Sequence, residues 1–460
     1  MMETAAPVKK KTDRQIVTAS YVHLCLMVSA LSVMGILFFL MPKHKVSVYE
    51  NRNLARFPQF STHALMEGIF LDSVDLFYAD NFPFRDRFVA FSSWLSKRRG
   101  LRSEEVGFYI APKKAMTQDT ALIAKSDSIA PGDTALTRNN GGEEMNTNLL
   151  IYKGMALDLF GGSLAMEKAY AAAINNYADV LKGKNVYSII VPTHSEFAMP
   201  PEYKKMTGRQ KTCIDNVNTC LAGNIKKVDA YAELEAHKDE YIYFNTDHHW
   251  TALGAYYAYK AFCASAGFTP IDLQSNLRYT GKKFLGSQYH LTLDDRLKAN
   301  PDSFYYVSIP MKFKAEKYLA KSPDKPSPAF LVAPGYANYG SFLGGDFPLM
   351  KVQTELKNGR KAVLVKNSFG NAFAPYLASH YEEVYIIDYR YYKGGLVNLV
   401  KEKGITDVIF VQCTFFVETA WHLHKIQGLM YKANVPIELP VDSVPASDSL
   451  KPKEITSDSL

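Results

Sequence analysis

The sequence predicts a three-layer α/β fold, in which helices enclose a parallel sheet, preceded by an N-terminal transmembrane helix and a stalk. Two observations lead to this prediction. Short β-branched and aromatic runs alternate with helical patterns between about residues 162 and 411, which is typical of a parallel sheet covered on both faces. In addition, one uncharged apolar stretch near the N-terminus is long enough to span a bilayer.

The composition indicates a folded protein with a large core. Of the 460 residues, 47% are hydrophobic and 13% are aromatic. A chain of this length buries enough apolar surface to fold without disulfides. The formal net charge of +7 is modest, and the basic residues are scattered rather than gathered into a stripe. Because no nucleic-acid motif accompanies them, DNA and RNA partners are not expected.

The apolar stretch runs from Gln15 to Pro42 and contains no Asp, Glu, Lys or Arg. It predicts a cytoplasmic tail at residues 1–18 and a transmembrane anchor at residues 19–42. A buried helix of the main domain and a cleaved signal peptide are the alternatives. The length of the run disfavours both, and no small-x-small cleavage site follows it. Basic residues flank both ends of the span, so the count of positive charges is nearly balanced between the two sides. A short basic tail before a single span and a large domain favours the tail inside and the domain outside. We therefore expect a single-pass protein of the cytoplasmic membrane with its main domain outside.

Three further segments follow the predicted anchor. Residues 43–100 are predicted to be a helical stalk that packs on the main domain, because apolar and aromatic residues recur there at helical spacing. Residues 101–438 are predicted to form the main domain, with a polar surface excursion at residues 112–148. Residues 439–460 are predicted to be a disordered tail, since they contain little that could be buried.

The strands and helices of the main domain are predicted from their apolar patterns. Strands are expected at residues 186–191, 241–244, 362–365, 384–388 and 407–411, and helices at residues 162–183, 251–266, 371–380 and 396–403. Ligand sites of such sheets form beyond the carboxyl ends of the strands. This rule directs attention to the polar residues that follow 241–244 and 362–365.

Ser368 lies where the strand at 362–365 is predicted to turn into a helix. A serine at such a corner has the geometry of a nucleophile elbow, in which the first helical N–H groups lie beside a developing oxyanion. Asn371, one helical turn later, could donate its amide to the same oxyanion. The alternative is that Ser368 only caps the helix, which is common for serine.

The segment Asp247-His248-His249-Trp250 follows the strand predicted at 241–244. A serine nucleophile needs a base with a pKa near neutrality, and that base needs a carboxylate to orient it. Asp247 and His249 suit these roles because residues i and i+2 can face the same way, whereas His248 would point aside as a structural donor. A metal site and a helix start capped by Asp247 are the alternatives.

The cysteines suggest one disulfide. Cys213 and Cys220 flank a short polar segment and are candidates for a small disulfide ring, which needs an oxidising compartment. The alternative is two free thiols. No CxxC motif is present, so no structural zinc is expected.

Several motifs together resemble one protein family. They are Asp247-His248-His249-Trp250, Glu50-Asn51-Arg52, Pro83-Phe84-Arg85-Asp86, Phe284-Leu285-Gly286-Ser287, the stretch from Tyr339 to Asp346, and the serine block ending in Asp388-Tyr389-Arg390. The family is the DHHW protein family, which is related to the SGNH-hydrolase-like domains of the alginate O-acetylation proteins. The resemblance extends over most of residues 45–425.

The resemblance implies an SGNH-hydrolase-like sheet with Ser368 as nucleophile and Asp247 and His249 as its partners. The chain order Asp, His, Ser is permuted relative to ordinary SGNH enzymes, in which the serine comes first. The sequence departs from the family at Asn367, where an aspartate is usual. That aspartate is not the acid of the triad, so the departure alters the hydrogen bonding of the elbow and leaves the triad intact.

The resemblance also implies an activity, which is an O-acetyltransferase or acetylesterase acting on a cell-surface polysaccharide through an acyl-serine intermediate. No cofactor is expected, since acetyl-CoA is not available outside the cell, and a membrane-bound acyltransferase that exports the acetyl group is the implied partner. The candidate oxyanion and substrate-binding groups, besides the Ser368 N–H, are Asn371, Gly344, Gly345, His248 and Arg390.

Two other functions remain open from the sequence. One is a catalytically silent polysaccharide-binding or assembly protein that retains the fold, with which Asn367 is compatible. The other is a metal-dependent hydrolase, which would need a further ligand beside Asp247, His248 and His249. His194, after the strand at 186–191, is the candidate for that ligand.

Overall fold

A computed structural model describes residues 13–43, 46–47, 52–53, 55–66, 69–85, 87–88, 91, 95, 105–110 and 148–431, without 320, 321, 334 and 337. The predictions for residues 1–12, for the excursion at 112–147 and for the tail at 439–460 lie outside these residues. So do most of Glu50-Asn51-Arg52 and the last residue of Pro83-Phe84-Arg85-Asp86.

The strands are numbered in chain order. In the described part of the chain they are β1 (Val46–Ser47), β2 (Arg52–Asn53), β3 (Val106–Tyr109), β4 (Leu149–Tyr152), β5 (Met155–Asp158), β6 (Asn185–Val191), β7 (Ile225–Lys227), β8 (Leu277–Phe284), β9 (Asp302–Val307), β10 (Phe313–Leu319), β11 (Ser322–Ala329), β12 (Leu349–Thr354), β13 (Lys361–Lys366), β14 (Glu383–Asp388) and β15 (Asp407–Cys413).

The helices are numbered in the same way. Over the same residues they are α1 (Asp13–Leu40), α2 (Thr62–Met66), α3 (Ile69–Asp80), α4 (Leu164–Val180), α5 (Ser195–Ala198), α6 (Gln210–Cys220), α7 (Ala230–Ala236), α8 (Ala252–Ala266), α9 (Leu273–Asn276), α10 (Ser287–Thr292), α11 (Asp295–Lys298), α12 (Gly370–Leu377), α13 (Leu396–Lys403), α14 (Thr414–Val417) and α15 (Ala420–Gly428). Two single 3₁₀ turns are at Pro201–Met206 and Tyr339–Ser341.

The main domain is built on one eight-stranded sheet in the order β11-β10-β12-β14-β13-β15-β6-β7. From β14 to β7 all neighbours are parallel, whereas β12 pairs antiparallel with β14, and β10 pairs antiparallel with β11 and β12. The predicted parallel sheet is therefore confirmed for the part from β14 to β7, antiparallel strands extend it, and the fold is mixed α/β. These three strands carry Lys or Pro in place of a continuous apolar run, and β11, the edge strand, contains three prolines, as is common at sheet edges.

Helices cover both faces of the parallel part of the sheet. Tyr177 of α4 contacts Phe410, and Phe262 of α8 contacts Tyr187. Phe410 pairs with Ser188, the residue after Tyr187. Because neighbouring residues of a strand point to opposite faces, the two contacts lie on opposite sides of the sheet. The predicted strands at 186–191, 362–365, 384–388 and 407–411 correspond to β6, β13, β14 and β15.

The predicted strand at 241–244 is not a strand of this sheet. Tyr243 forms an isolated antiparallel bridge with Trp250, and the Phe244 N–H donates to the His249 carbonyl at 3.2 Å. The segment is apolar because Ile242, Tyr243 and Phe244 are buried in the core, at 1%, 2% and 0% exposure. Residues 243–250 thus form a narrow loop, and its polar tip carries Asp247.

The N-terminal helix α1 contains an apolar segment, Val17–Leu40, of 24 residues. Within the described residues it is the one helix that is long and apolar enough to cross a membrane. Its side chains are mostly exposed, which is unlike a helix of a soluble core. Near its C-terminal end, Phe38 packs on Phe77 and Tyr78 of α3. The packing of residues 43–100 on the main domain stays a prediction.

The predicted disulfide between Cys213 and Cys220 is wrong, because both thiols are free. The segment between them is not a loop but part of α6, so the cysteines lie seven residues apart on one helix. Seven residues rise about 10 Å along a helix axis, whereas the Cα atoms of a disulfide are usually within about 7 Å. The polar residues between them are the outer face of an amphipathic helix.

Candidate active site

Ser368 lies at the sharp corner between β13 and α12, at the carboxyl edge of the sheet. The corner is closed by two backbone bonds, from the Gly370 N–H to the Asn367 carbonyl and from the Asn371 N–H to the Ser368 carbonyl, each 3.0 Å long. A Cβ atom at Gly370 would lie 2.4 Å from the Cβ of Lys366, so the turn requires glycine there. The serine is 9% exposed, which leaves it at the rim of the fold rather than inside it.

The loop at 243–250 brings Asp247 and His249 to this corner, although His249 is 119 residues from Ser368 in the sequence. His249 Nε2 lies 2.8 Å from Ser368 Oγ, and His249 Nδ1 lies 2.6 Å from Asp247 Oδ1. Burial alone would raise the pKa of Asp247, but the charge and hydrogen bond of His249 hold it below its usual range. Asp247 is therefore an ionised carboxylate at the end of a continuous chain of hydrogen bonds to the serine hydroxyl.

The carboxylate of Asp247 is fixed on both oxygens. Oδ1 also accepts the His249 backbone N–H at 3.1 Å, and Oδ2 accepts the Ser287 N–H at 3.0 Å. Gly286 allows this contact, because a Cβ atom there would lie 2.3 Å from the Cβ of Asp247. The Phe284-Leu285-Gly286-Ser287 motif thus lies directly against the DHHW segment.

Asp302, at the start of β9, holds the base of the same loop. It is fully buried and accepts the Tyr241 hydroxyl at 2.6 Å, the Asn245 N–H at 2.6 Å and the Thr246 N–H at 2.8 Å. The Thr246 hydroxyl makes a fourth bond to it. Sequence reasoning missed Asp302, because a single aspartate at the start of a strand carries no recognisable pattern.

Trp250 and Tyr339 join the loop to the serine corner. The Trp250 indole N–H donates to the Phe369 carbonyl at 2.9 Å, and the Tyr339 hydroxyl lies 2.8 Å from the Ser368 carbonyl and 3.1 Å from that of Phe369. The Tyr339 ring also stacks on His249, with centroids 3.6 Å apart and an angle of 3°. Tyr339 was matched only as part of a family motif, and its contact with both candidate catalytic residues was not predicted.

We expect Tyr339→Phe to destabilise the protein by about 1–2 kcal/mol, because the bonds from the hydroxyl to two buried carbonyls are lost, although each carbonyl keeps one other donor. Tyr339→Ala should cost more and should also lower turnover further, because the ring that holds His249 is lost as well. Thermal unfolding and turnover of an activated acetyl ester measure the two effects. The exposed Tyr279 provides the control variant Tyr279→Phe. Equal behaviour of Tyr339→Phe and wild type would show that these hydrogen bonds are dispensable.

A buried cluster of charges lies beside the corner. Lys366 Nζ lies 3.0 Å from Asp346 and 2.9 Å from Asp388, and Arg390 Nη2 lies 2.7 Å and 2.6 Å from the same two carboxylates. Two cations and two carboxylates balance each other. Arg390 is therefore neutralised by partners within the protein, which supports a structural role instead of the predicted contact with a substrate anion.

Asp346 also orients the amide of Asn371, which donates to it at 2.9 Å. Burial would raise the pKa of Asp346, but Arg390, Lys366 and this amide hold it below its usual range. One of the two N–H bonds of the Asn371 amide is thus engaged, and the second has no acceptor among the residues that the structure describes.

The backbone donors of the corner are largely used within the protein. The Phe369 N–H donates to Asn367 Oδ1 at 3.0 Å, and the N–H groups of Gly370 and Asn371 close the turn. No acceptor for the Ser368 N–H lies in the described part of the chain, so this donor is available to an oxyanion. The Asn367 side chain makes the bond that an aspartate oxygen would make, while its buried Nδ2 has no partner among the described residues.

Gly344 and Gly345 lie in the loop that leads to Asp346. Both have left-handed backbones, with φ of +79° and +118°, and a Cβ atom at Gly344 would lie 2.9 Å from the Phe330 ring. Over the residues that the structure describes, neither glycine is hydrogen bonded to the serine corner. The structure therefore accounts for these glycines as turn residues, and their oxyanion role stays a prediction.

His248 lies beside His249, with ring centroids 3.8 Å apart, and its Nδ1 lies 2.7 Å from Ser287 Oγ. Burial, reinforced by the neighbouring His249, lowers the pKa of His248 to about 3. It is therefore neutral at physiological pH. Among the described residues, the Ser368 hydroxyl is hydrogen bonded to His249 and not to His248.

The ligand atoms of Asp247, His248 and His249 lie within 4.8 Å of one another, close enough to hold a metal ion. However, both ring nitrogens of His249 and Nδ1 of His248 already have partners in the described chain. His194 is not part of this group of ligand atoms, and its ring stacks on Tyr243 with centroids 5.4 Å apart. The donor set therefore fits a hydrogen-bonded triad better than a metal centre.

A mixed α/β sheet with an Asp-His-Ser chain at its carboxyl edge has the arrangement of the serine-hydrolase-like proteins. Residues 50–111 and 114–387 match the family described as DHHW protein. The chain therefore belongs to the DHHW protein family, as the sequence motifs predicted.

Solved structures are similar over most of the main domain. A DHHW family protein from Eubacterium siraeum is 32% identical, with a TM-score of 0.57 over 62% of this chain and 96% of its own. PatB1 from Bacillus cereus is 19% identical, with a TM-score of 0.52 over 60% of this chain and 98% of its own, and it also has a structure with a sulfonyl adduct. At this identity the likeness to PatB1 supports the fold alone. No protein of curated function matches the sequence.

Proposed function

We propose that the protein is a serine-dependent acyl-transfer enzyme, an O-acetyltransferase or acetylesterase, that passes an acetyl group through an acyl-serine at Ser368. The hydrogen-bonded chain from Asp247 through His249 to Ser368 carries this proposal. It provides a nucleophile, a base and a fixed carboxylate in the three roles that acyl transfer requires.

In the first half-reaction, Ser368 Oγ attacks the carbonyl carbon of an acetyl ester while its proton passes to His249 Nε2. Asp247 stabilises the imidazolium, and the Ser368 N–H and the free Asn371 N–H receive the oxyanion. The tetrahedral intermediate collapses, the C–O bond to the donor breaks, and His249 returns the proton to the leaving alcohol. In the second half-reaction a sugar hydroxyl or water attacks the acyl carbon while its proton passes to His249 Nε2, the C–O bond to Ser368 breaks, and His249 returns the proton to Ser368 Oγ.

The proposal includes the surroundings of this chemistry. Residues 19–42 would hold the domain at the outer face of a cytoplasmic membrane, and residues 101–438 would form the catalytic domain. The acceptor would be a cell-surface polysaccharide, and a membrane-bound acyltransferase would supply the acetyl group from inside. Family membership and the exposed apolar helix α1 support this assignment.

A sulfonyl fluoride tests the proposed nucleophile directly, since a serine activated by a histidine displaces the fluoride and forms a sulfonyl ester. PatB1, which shares the fold, has been captured with a sulfonyl adduct. Incubation with phenylmethanesulfonyl fluoride should add one sulfonyl group per chain at Ser368, as read by peptide mass spectrometry. Labelling should disappear in Ser368→Ala and persist in the control Ser327→Ala.

The same preparations should be incubated with an activated acetyl ester. Wild type should release the alcohol and form an acetyl adduct on Ser368. A folded wild-type protein that gives neither adduct, and whose ester turnover equals that of Ser368→Ala, would contradict the enzyme proposal. That result would favour the alternative, a catalytically silent polysaccharide-binding or assembly protein.

A further inference from the structure

We propose that His248 forms an acceptor-hydroxyl subsite, in which its Nε2–H donates to the oxygen of the sugar hydroxyl that attacks the acyl-serine. The inference rests on the proposed function and goes beyond it, because it names the group that selects a carbohydrate hydroxyl over water. Four features of the described residues carry it.

The first feature is the position of the ring. The His248 ring is tilted by 37° against that of His249, with centroids 3.8 Å apart, and lies 6.2 Å from the Phe369 ring. His249 must bond the attacking hydroxyl in order to remove its proton. A group beside the base is therefore close to the attacking oxygen, whereas the Ser368 N–H and Asn371 surround the oxyanion.

The second feature is the bond that orients His248. Ser287 Oγ lies 2.7 Å from Nδ1, and the Ser287 N–H is itself bonded to Asp247 Oδ2 at 3.0 Å. Among the described residues, Nδ1 is the one acceptor within hydrogen-bond distance of the Ser287 hydroxyl. If the hydroxyl donates to Nδ1, the proton of the neutral ring must be on Nε2. The proposed subsite uses this direction, in which Ser287 selects the tautomer with Nε2 as a donor.

The third feature is the free nitrogen. Nε2 has no hydrogen-bond partner in the described chain, and it is not among the buried unpartnered atoms, so it reaches solvent. His248 is 8% exposed and Ser368 is 9% exposed, so neither side chain is completely enclosed.

The fourth feature is the charge state of the His248 ring. Burial lowers the pKa of His248 to about 3, so the ring stays neutral when the adjacent His249 accepts a proton. A second charged imidazole at this distance would oppose that protonation. A neutral N–H donor can bond the oxygen of a hydroxyl without competing for its proton. His248 therefore suits the acceptor oxygen better than it suits the role of a base.

The test compares transfer with hydrolysis in one reaction. The full chain is incubated with an activated acetyl ester and methyl glucoside, and acetylated glucoside and free acetate are measured. In His248→Phe the ratio of transfer to hydrolysis should fall about tenfold, the effect of one lost hydrogen bond, mostly through a higher KM for the glucoside. His248→Gln, which restores an N–H near Nε2, should recover part of the ratio.

Ser287→Ala removes the hydroxyl that orients His248 and leaves the imidazole ring unchanged. It replaces His248→Phe as the test variant if His248→Phe does not fold. Nitrogen NMR of His248 should show a protonated Nε2 in wild type and a mixture of tautomers in Ser287→Ala, with a lower transfer ratio. Sulfonyl labelling of Ser368 monitors the triad in each variant. If wild type is neither labelled nor acetylated, the proposed function fails. If wild type transfers acetyl groups and both variants keep its ratio, the subsite alone is wrong.

Discussion

Asp247→Asn is expected to lower kcat for an activated acetyl ester by ~10⁴-fold while the protein stays folded. The two side chains have the same shape, so the loss comes from the charge and the hydrogen-bond pattern. Asp247 Oδ1 accepts His249 Nδ1–H at 2.6 Å, and Oδ2 accepts the Ser287 N–H at 3.0 Å. An amide in place of the carboxylate must present its NH₂ to one of these donors, and it no longer stabilises the imidazolium.

The comparison of kcat with thermal stability makes this prediction specific. Asp239 is exposed, and Asp239→Asn is the matched control, with the same chemical change away from the candidate site. The control should retain wild-type kcat, and Asp247→Asn should remain cooperatively folded. If Asp247→Asn keeps more than a tenth of the wild-type rate, Asp247 is not the carboxylate that assists His249.

Asp302→Ala is expected to reduce the free energy of unfolding by about 4 kcal/mol, because four donors lose one buried acceptor. Asp302 is fully buried, and its oxygens bond Tyr241, Asn245 and both donors of Thr246. These residues hold the base of the loop that carries Asp247 and His249. We therefore expect ester turnover to fall as well, although Asp302 does not touch the candidate triad.

Urea unfolding measures this effect, with the midpoint shifted to lower denaturant and the slope unchanged. The urea midpoint of Asp302→Asn should lie between those of wild type and Asp302→Ala. The amide oxygen remains as an acceptor, whereas the NH₂ group faces two of the donors that the carboxylate accepted. Asp239→Ala is the control for loss of an exposed carboxylate. A midpoint of Asp302→Ala equal to that of wild type would show that the loop is held by other contacts.

The parallel part of the sheet was predictable, because β6, β13, β14 and β15 are buried on both faces and their apolar runs are continuous. Strands β10, β11 and β12 were missed because polar residues interrupt their apolar patterns. The apolar run at 241–244 was read as a strand, although burial alone explains it. The segment between Cys213 and Cys220 was read as a loop because polar residues also form the outer face of a helix.

By itself the sequence determined the family, the apolar N-terminal helix and the three candidate catalytic residues. Each of these can be recognised from a pattern within a single short segment of the chain. Only the tertiary structure decided that Asp247, His249 and Ser368 meet within hydrogen-bond distance. It also decided that Asp302, Tyr339 and Ser287 hold them there, and that Arg390 is neutralised by Asp346 and Asp388. The physical reason is that a buried polar group acquires its role from partners distant in sequence, and no local pattern records which of them it will meet.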